Sequence, residues 1–288
     1  MSEVLASSEG GVLTLTLNRA LKMNAITRAM YTELSGHMKE AAGDFGIRVV
    51  VLTAQGANFT AGNDIFDFVD APPTGPESEG FVFLQQLHNF PKPLIAVVQG
   101  NAVGIGTTML LHCDVVLATP SARFSMPFVS LGLVPEAGSS YLFPQLVGYQ
   151  RAAKIFLTGE SFSADEAKEM GLVSTVTDEA LQEAMTLAKK IANQPPTAVI
   201  NTKALLKSRS HEAVSAVMDV EGELFRMALG SDEAMQAFAK FMETRGKSSH
   251  CTLKKSLSRV VRGGLVWLSH FALLVTEPLL PSQPKPLK

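Results

Sequence analysis

Apolar residues occupy alternate positions in VLTLTLN (residues 12–18), with Leu13, Leu15 and Leu17 on one face and Thr14 and Thr16 on the other. That is the period of a strand. RVVVLTAQG (48–56) and PLIAVVQG (93–100) are short β-branched runs closed by Gly, the pattern of strands covered on both faces, and CDVVLAT (113–119) reads as a fourth. Between them TRAMYTELSGHMKEAA (27–42) predicts a helix opened by an N-cap Thr27, and 78–89 predicts another. Repeated strand–helix–strand units imply an α/β fold with a largely parallel sheet. After about residue 150 the period is helical throughout. SADEAKEMG runs from an N-cap Ser163 to a closing Gly171, and Pro195-Pro196 separates two further helices. SDEAMQAFAKFM places Met235, Phe238, Ala239 and Met242 at helical spacing behind a Ser/Asp cap.

Composition narrows the class. The 288 residues are 46% hydrophobic and 18% charged, enough apolar matter for a large core and not a disordered chain. A net charge of −2 gives no footprint for nucleic acid. Residues 251–288 differ: six Lys/Arg and one acid make them +5, leaving −7 for residues 1–250. The apolar stretch of this tail, Leu265 to Val275, is too short to span a bilayer, so association with a membrane surface or a neighbouring subunit, or no chemical role at all, stay open. Cys113 and Cys251 show no CxxC spacing, which argues against structural zinc, and a start without a signal-peptide pattern makes the cytoplasm the expected compartment.

Three glycine turns follow apolar runs: GANFTAGNDI (56–65), GNAVGIGTT (100–108) and VPEAGSS (134–140). None has the spacing of a phosphate loop. Two such turns facing each other can offer two backbone N–H groups to one oxygen. The third holds Glu136, the only carboxylate in LGLVPEAGSSYLFPQL (131–146). It is either an acid favoured by the start of the following helix or a proton carrier in an apolar pocket. His112 and Cys113, neighbours in LLHCD, are expected to point to opposite faces of a strand and serve packing, with no metal. Asp64 is expected to cap a helix or contact ligand, and Asp67 to be solvated.

LTLNRALKMNAIT, RVVVLTAQGANFTAGNDI, FPKPLIAVVQGNAVGIGTTMLLHCDVVLAT, ARFSMPFVSLGLVPEAGSSYLFPQLVG and LTGESFSADEAKEMGLVSTV together resemble the crotonase (enoyl-CoA hydratase/isomerase) superfamily, to about residue 247. The resemblance implies a ββα spiral core over 1–195, a C-terminal helical region over 196–250 that drives trimerisation or pairing of trimers, and the tail 251–288 outside both. It implies an acyl-CoA substrate, with coenzyme A entering only as part of that substrate and no other cofactor or metal. The thioester oxygen would sit between the amides of Ala61 and Ile105. Lys22, Met23 and Asn24, with Gly62, Asp64 and Ile65, would grip the CoA moiety, and Phe238 would cover the CoA of an adjacent subunit. Hydratases of this family use two glutamates, at positions that hold Thr108 and Phe128 here. Glu136 matches the single glutamate of the Δ3,Δ2-enoyl-CoA isomerase branch, in an apolar setting from Met126, Phe128, Leu133 and Val134. The implied reaction is double-bond isomerisation. The rivals are other enolate chemistry on the same scaffold, such as a ring-containing thioester isomerase or a hydratase, and a non-catalytic acyl-CoA-binding protein.

Overall fold

Alternation and β-branching produce the strands where they are strongest. The structure, a computed structural model, describes residues 2–245. The elements are β1 (Val4–Glu9), β2 (Val12–Leu17), α1 (Arg28–Gly43), β3 (Val49–Ala54), α2 (Ile65–Asp70), α3 (Glu79–Asn89), β4 (Leu94–Val98), β5 (Asn101–Val103), α4 (Ile105–Thr108), β6 (Val115–Ala118) and β7 (Arg123–Ser125). The second half adds α5 (Ser139–Val147), α6 (Tyr149–Thr158), β8 (Phe162–Ser163), α7 (Ala164–Glu169), β9 (Thr175–Val176), α8 (Ala180–Ala192), α9 (Pro196–Lys207), α10 (His211–Leu229) and α11 (Asp232–Arg245). The tail 251–288, with its expected surface association, lies outside the described residues. Among those described, no helix is long and apolar enough to cross a membrane.

Six strands form one sheet in the order β1-β2-β3-β4-β6-β9, antiparallel between β1 and β2 and parallel from β2 onward. A smaller sheet, β5-β7-β8, runs beside it. Val12, Val49, Val51, Ile95, Val97 and Leu117 make one apolar face, and α8 lies across it on Ala180, Ala184, Ala188 and Ala192. Those alanines recur every fourth residue, so one helix face carries no side chain longer than a methyl and the helix axis comes close to the sheet. A fully buried Val, Leu or Ile contributes about 1.5–3 kcal/mol, which makes β3, enclosed from Val49 to Leu52, a principal anchor of the sheet.

The caps follow the sequence. Thr27 accepts from the Met30 amide, Ser163 and Glu166 form a reciprocal capping box, and Ser231 accepts from the Ala234 amide. The LLHCD segment departs from expectation. Met109–His112 is a 3₁₀ turn continuing α4, not part of a strand, and β6 starts only at Val115. His112 is nevertheless enclosed, as a packing role requires.

The spiral brings three distant pieces together: the turn before α2, the start of α4 and the turn before α5. α10 returns from the far end of the chain to pack on α3 and α5, and α11 packs on the turn at 129–131.

Candidate active site

The backbone around Gly62 decides which amide is available. Thr60 donates its N–H to the Asn101 carbonyl, and Ala61 donates to the Met23 carbonyl at 2.9 Å. Gly62 has φ +86°, and a Cβ there would lie 2.8 Å from the Val103 carbonyl oxygen, so this reversal against β5 needs glycine. Beyond it, Ile26 donates to the Gly62 carbonyl and accepts from the Asp64 amide, both at 2.8 Å. A parallel bridge of this kind uses the groups flanking Asn63 and leaves the N–H of Asn63 facing the other way. Among the described residues that N–H has no partner within the chain. The expected donor is thereby corrected: Ala61 is committed to Met23, and the open amide of the AGND turn belongs to Asn63.

The second open amide is Ile105. It begins α4, where the first N–H groups are orphaned. Thr107 and Thr108 turn their amides back to the Gly104 carbonyl, whereas the Ile105 amide has no acceptor among the described residues. Asn63 and Ile105 line two adjoining cavities in common. One, of about 460 Å³, also contains Tyr31, Phe68, Phe81, Leu84, Phe225 and Glu136. The other, of about 690 Å³, contains Met23, Ala61, Gly62, Ile65, Phe128 and Phe238. A buried amide without an acceptor is uncommon, and two at one junction suit an oxygen arriving with a ligand.

Glu136 is 5% exposed. Burial is the main reason its carboxyl is pushed up to about 8; the nearby charge of Glu221 adds to the rise, and the Thr108 hydroxyl, which donates to Oε1 at 2.5 Å, opposes it. The residues sharing its cavity are Tyr31, Phe81, Leu84, Ile105 and Phe225, not the Met126, Phe128, Leu133 and Val134 expected from sequence proximity. Met126 is enclosed outside both cavities, and Phe128 and Leu133 face the larger one. The Tyr31 hydroxyl donates to Asn63 Oδ1 at 2.5 Å, tying the side chain of one open-amide residue to α1. Burial and the neighbouring Glu136 hold the Tyr31 phenol well above its usual range.

Other expected contacts move. Asn24 is wholly enclosed, accepting from the Arg19 amide and donating to the carbonyls of Gln55 and Asn58, while its own carbonyl accepts from Thr60. It clamps loops and presents nothing to a ligand. Asp64 caps α2 through the Phe66 and Asp67 amides and pairs with Arg19 at 2.6 Å. Asp67, expected to be solvated, accepts from the Arg28 amide at 2.7 Å. Lys22 is exposed on the turn Ala20–Lys22, outside both cavities. Phe238 is buried and lines a cavity of its own chain, where α11 packs on residues 129–131.

The turn that carries Glu136 is built with care. Ala137 adopts φ +64°, unusual for a residue with a Cβ. His112 Nε2 lies 2.7 Å from the Ala137 carbonyl. Burial pushes this imidazole down to about 3, so it is neutral, and since a carbonyl only accepts, the proton sits on Nε2.

A sequence profile described as enoyl-CoA hydratase/isomerase matches residues 7–249. The chain belongs to this family. Within the enoyl-CoA hydratase/isomerase family it is 37% identical over 252 residues to enoyl-CoA delta isomerase 2 of Rattus norvegicus, a match covering 85% of this chain and 64% of that relative. The chain thus spans slightly less than two thirds of that isomerase. It is 35% identical over 248 residues to the 2,3-dehydroadipyl-CoA hydratase of Escherichia coli K12, covering 85% and 97%. The structure of Pseudomonas aeruginosa OdaA superposes with a TM-score of 0.82 at 42% identity, covering 84% of this chain and 99% of that one. Enoyl-CoA hydratase/isomerase proteins bind acyl-CoA and are commonly trimeric.

Asn63, Tyr31 and Glu221 are absent from the sequence-derived set. For Asn63 the signal was one residue away, in the same AGND turn. Tyr31 had only its place on the buried face of α1, and Glu221 had no local signal at all.

Proposed function

We propose that this chain transposes the double bond of a 3-enoyl-CoA to the 2-position. The observation that carries the reading is a single buried carboxyl, Glu136, sharing a cavity with two unpartnered amides, Asn63 and Ile105. The thioester oxygen accepts from both amides. The Glu136 carboxylate takes a proton from C2, and the electron pair moves into a dienolate whose negative oxygen the amides stabilise. Glu136 then returns that proton to C4, the double bond settles between C2 and C3, and the enzyme is unchanged. A carboxyl lifted toward neutrality suits both halves, accepting a proton from carbon and giving it back. The CoA portion occupies the larger cavity, toward Met23, Ile65, Phe128 and Phe238.

Water addition needs a second proton-transferring group across the substrate. In the family's hydratases that pair is formed at the positions of Thr108 and Phe128, and neither residue serves here. The discriminating assay offers 3-enoyl-CoA and 2-enoyl-CoA in parallel and follows products by mass. The expected result is a shifted double bond with no mass gain from the first, and no 18-dalton addition to the second above background. Hydration of 2-enoyl-CoA as the faster reaction would overturn the reading in favour of a hydratase. Turnover of neither would favour an acyl-CoA-binding protein.

Thr108 gives a further expected outcome. Its hydroxyl favours the charged form of Glu136. A hydrogen bond to a charged group is worth about 1.5–3 kcal/mol, or roughly one to two pH units. Thr108→Val should therefore shift the acidic limb of the kcat–pH profile upward by about that much and lower turnover at neutral pH. An unmoved limb would show that the contact does not tune the acid.

A further inference from the structure

Glu136 stands two residues before Gly138, the N-cap of α5, where a carboxylate would ordinarily be drawn to the free amides of the first turn. Its carboxylate does not bind them: the Ser139 amide donates to the Glu136 carbonyl at 3.1 Å, and another acid holds the amides of Gly138 and Ser140. Glu221, on α10, is 5% exposed; its Oε2 accepts from the Gly138 amide at 2.6 Å and its Oε1 from the Ser140 amide at 2.8 Å. Gly138 has no side chain to cap the helix, so this bidentate contact from a distant helix is the cap. Between the two acids, Ala137 is held in its left-handed conformation, with His112 donating to its carbonyl on one side and Glu221 gripping the next residue on the other.

We propose that Glu221 is a positioning residue for the proton shuttle: by occupying the amides at the start of α5 it denies them to Glu136 and leaves the Glu136 carboxylate turned into the cleft. This rests on the reading of Glu136 as the shuttle. Two features make the contact more than a helix cap. A carboxylate buried without a cation is costly, and here it is compensated by two charge-assisted hydrogen bonds and the favourable end of a nine-residue helix. Its charge also disfavours a second negative charge on Glu136, the same direction as burial. A neutral cap would close α5 as well and would lack that second effect. The other titratable or charged groups around Glu136 are Tyr31 and Arg28 on α1, Glu77 and Glu79 at the start of α3, Asp219, Glu223 and Arg226 on α10, and the neutral His112. Among these, Tyr31 is kept protonated by its burial.

The test uses Glu221→Ala and Glu221→Gln in the full-length protein. It reads kcat and KM across pH and, independently of turnover, titrates the Glu136 carboxyl by infrared difference spectroscopy assigned with Glu136→Gln. In Glu221→Ala the freed amides should recruit Glu136. The expected result is a fall in kcat of about 10²-fold, the scale of a displaced acid–base group, with KM changed far less. The Glu136 titration should move downward by about one pH unit or more. Glu221→Gln keeps one acceptor and the side-chain shape while removing the charge. It should move the titration in the same direction with a smaller loss of kcat, and it supplies the measurement if the alanine variant fails to fold. A folded variant with wild-type kcat and an unmoved Glu136 titration overturns the positioning role and leaves the shuttle reading intact. Wild-type turnover in Glu136→Gln removes the shuttle reading itself.

Discussion

Glu136→Gln is expected to reduce isomerase turnover by about 10³-fold or more, toward the upper end of what one acid–base group supplies, while leaving KM within a few-fold of wild type. The amide keeps the size of the carboxyl but cannot take a proton from C2. The wild-type kcat/KM–pH profile should rise through an acidic limb near pH 8, where Glu136 of the free enzyme ionises, and the residual activity of the variant should lack it. Loss of activity should come with a gain in stability. The folded-state value of about 8 stands above the unfolded value of roughly 4.3. Between those pH values the unfolded chain gives up this proton and the folded one keeps it, so wild-type stability falls as pH rises, by at most about 1.4 kcal/mol per pH unit across the window. Below about pH 4 both states are protonated and the effect vanishes. Glutamine has no such dependence, so the variant should melt at a higher temperature than wild type at pH 8–9 and close to it at pH 4. Thermal melts at the two pH values check this, and equal melting temperatures at alkaline pH would contradict it. A residue whose removal both stabilises and inactivates is held there for its chemistry.

Ile105→Pro should be nearly as damaging and by a different route. Ile105 is the first residue of α4, where proline is tolerated because the N–H it removes has no helical partner. Gly104 before it has φ +56° and ψ −117°, the mirror image of the extended conformation that suits a residue preceding proline. The substitution therefore deletes one amide hydrogen with little disturbance of the backbone. Removing one donor to a developing oxyanion costs about 10²–10³ in kcat. The control is Ile105→Ala, which trims the same side chain and keeps the N–H. If alanine and proline variants lose activity equally, the side chain and not the amide is responsible. Trimming Asn63 to alanine likewise keeps its amide and should cost little beyond the loss of its contact with Tyr31.

The central strands were legible because their information is local. Alternation in β2 and β-branching in β3 and β4 fix a face and a burial without reference to anything distant. β1 was not read as a strand: five of the six residues of VLASSE are exposed, and pairing with β2 makes it a strand. The candidate site was legible at the level of segments and less so at the level of atoms. That two turns would offer amides followed from glycines after strands. Which N–H of the AGND turn is free depends on the reversal at Gly62 and on Ile26 taking the flanking groups, and these are facts of pairing across 36 residues or more. Thr108 entered only as the absence of a glutamate, yet its hydroxyl is the hydrogen-bond donor on Glu136. Between the two readings of Glu136, helix-start acid or proton carrier, the local pattern had no tie-breaker, and only the resemblance to the isomerase branch favoured the carrier. The residue that takes the α5 amides lies more than 80 positions downstream.

That separation in the chain bears on biosynthesis. A nascent polypeptide carries Glu136 and both turns with open amides long before it carries α10, the helix that clamps the Glu136 loop. On the proposed function, catalytic competence therefore arrives late, when α10 docks, and the first appearance of turnover during synthesis or refolding should report that docking event more directly than a signal from the sheet.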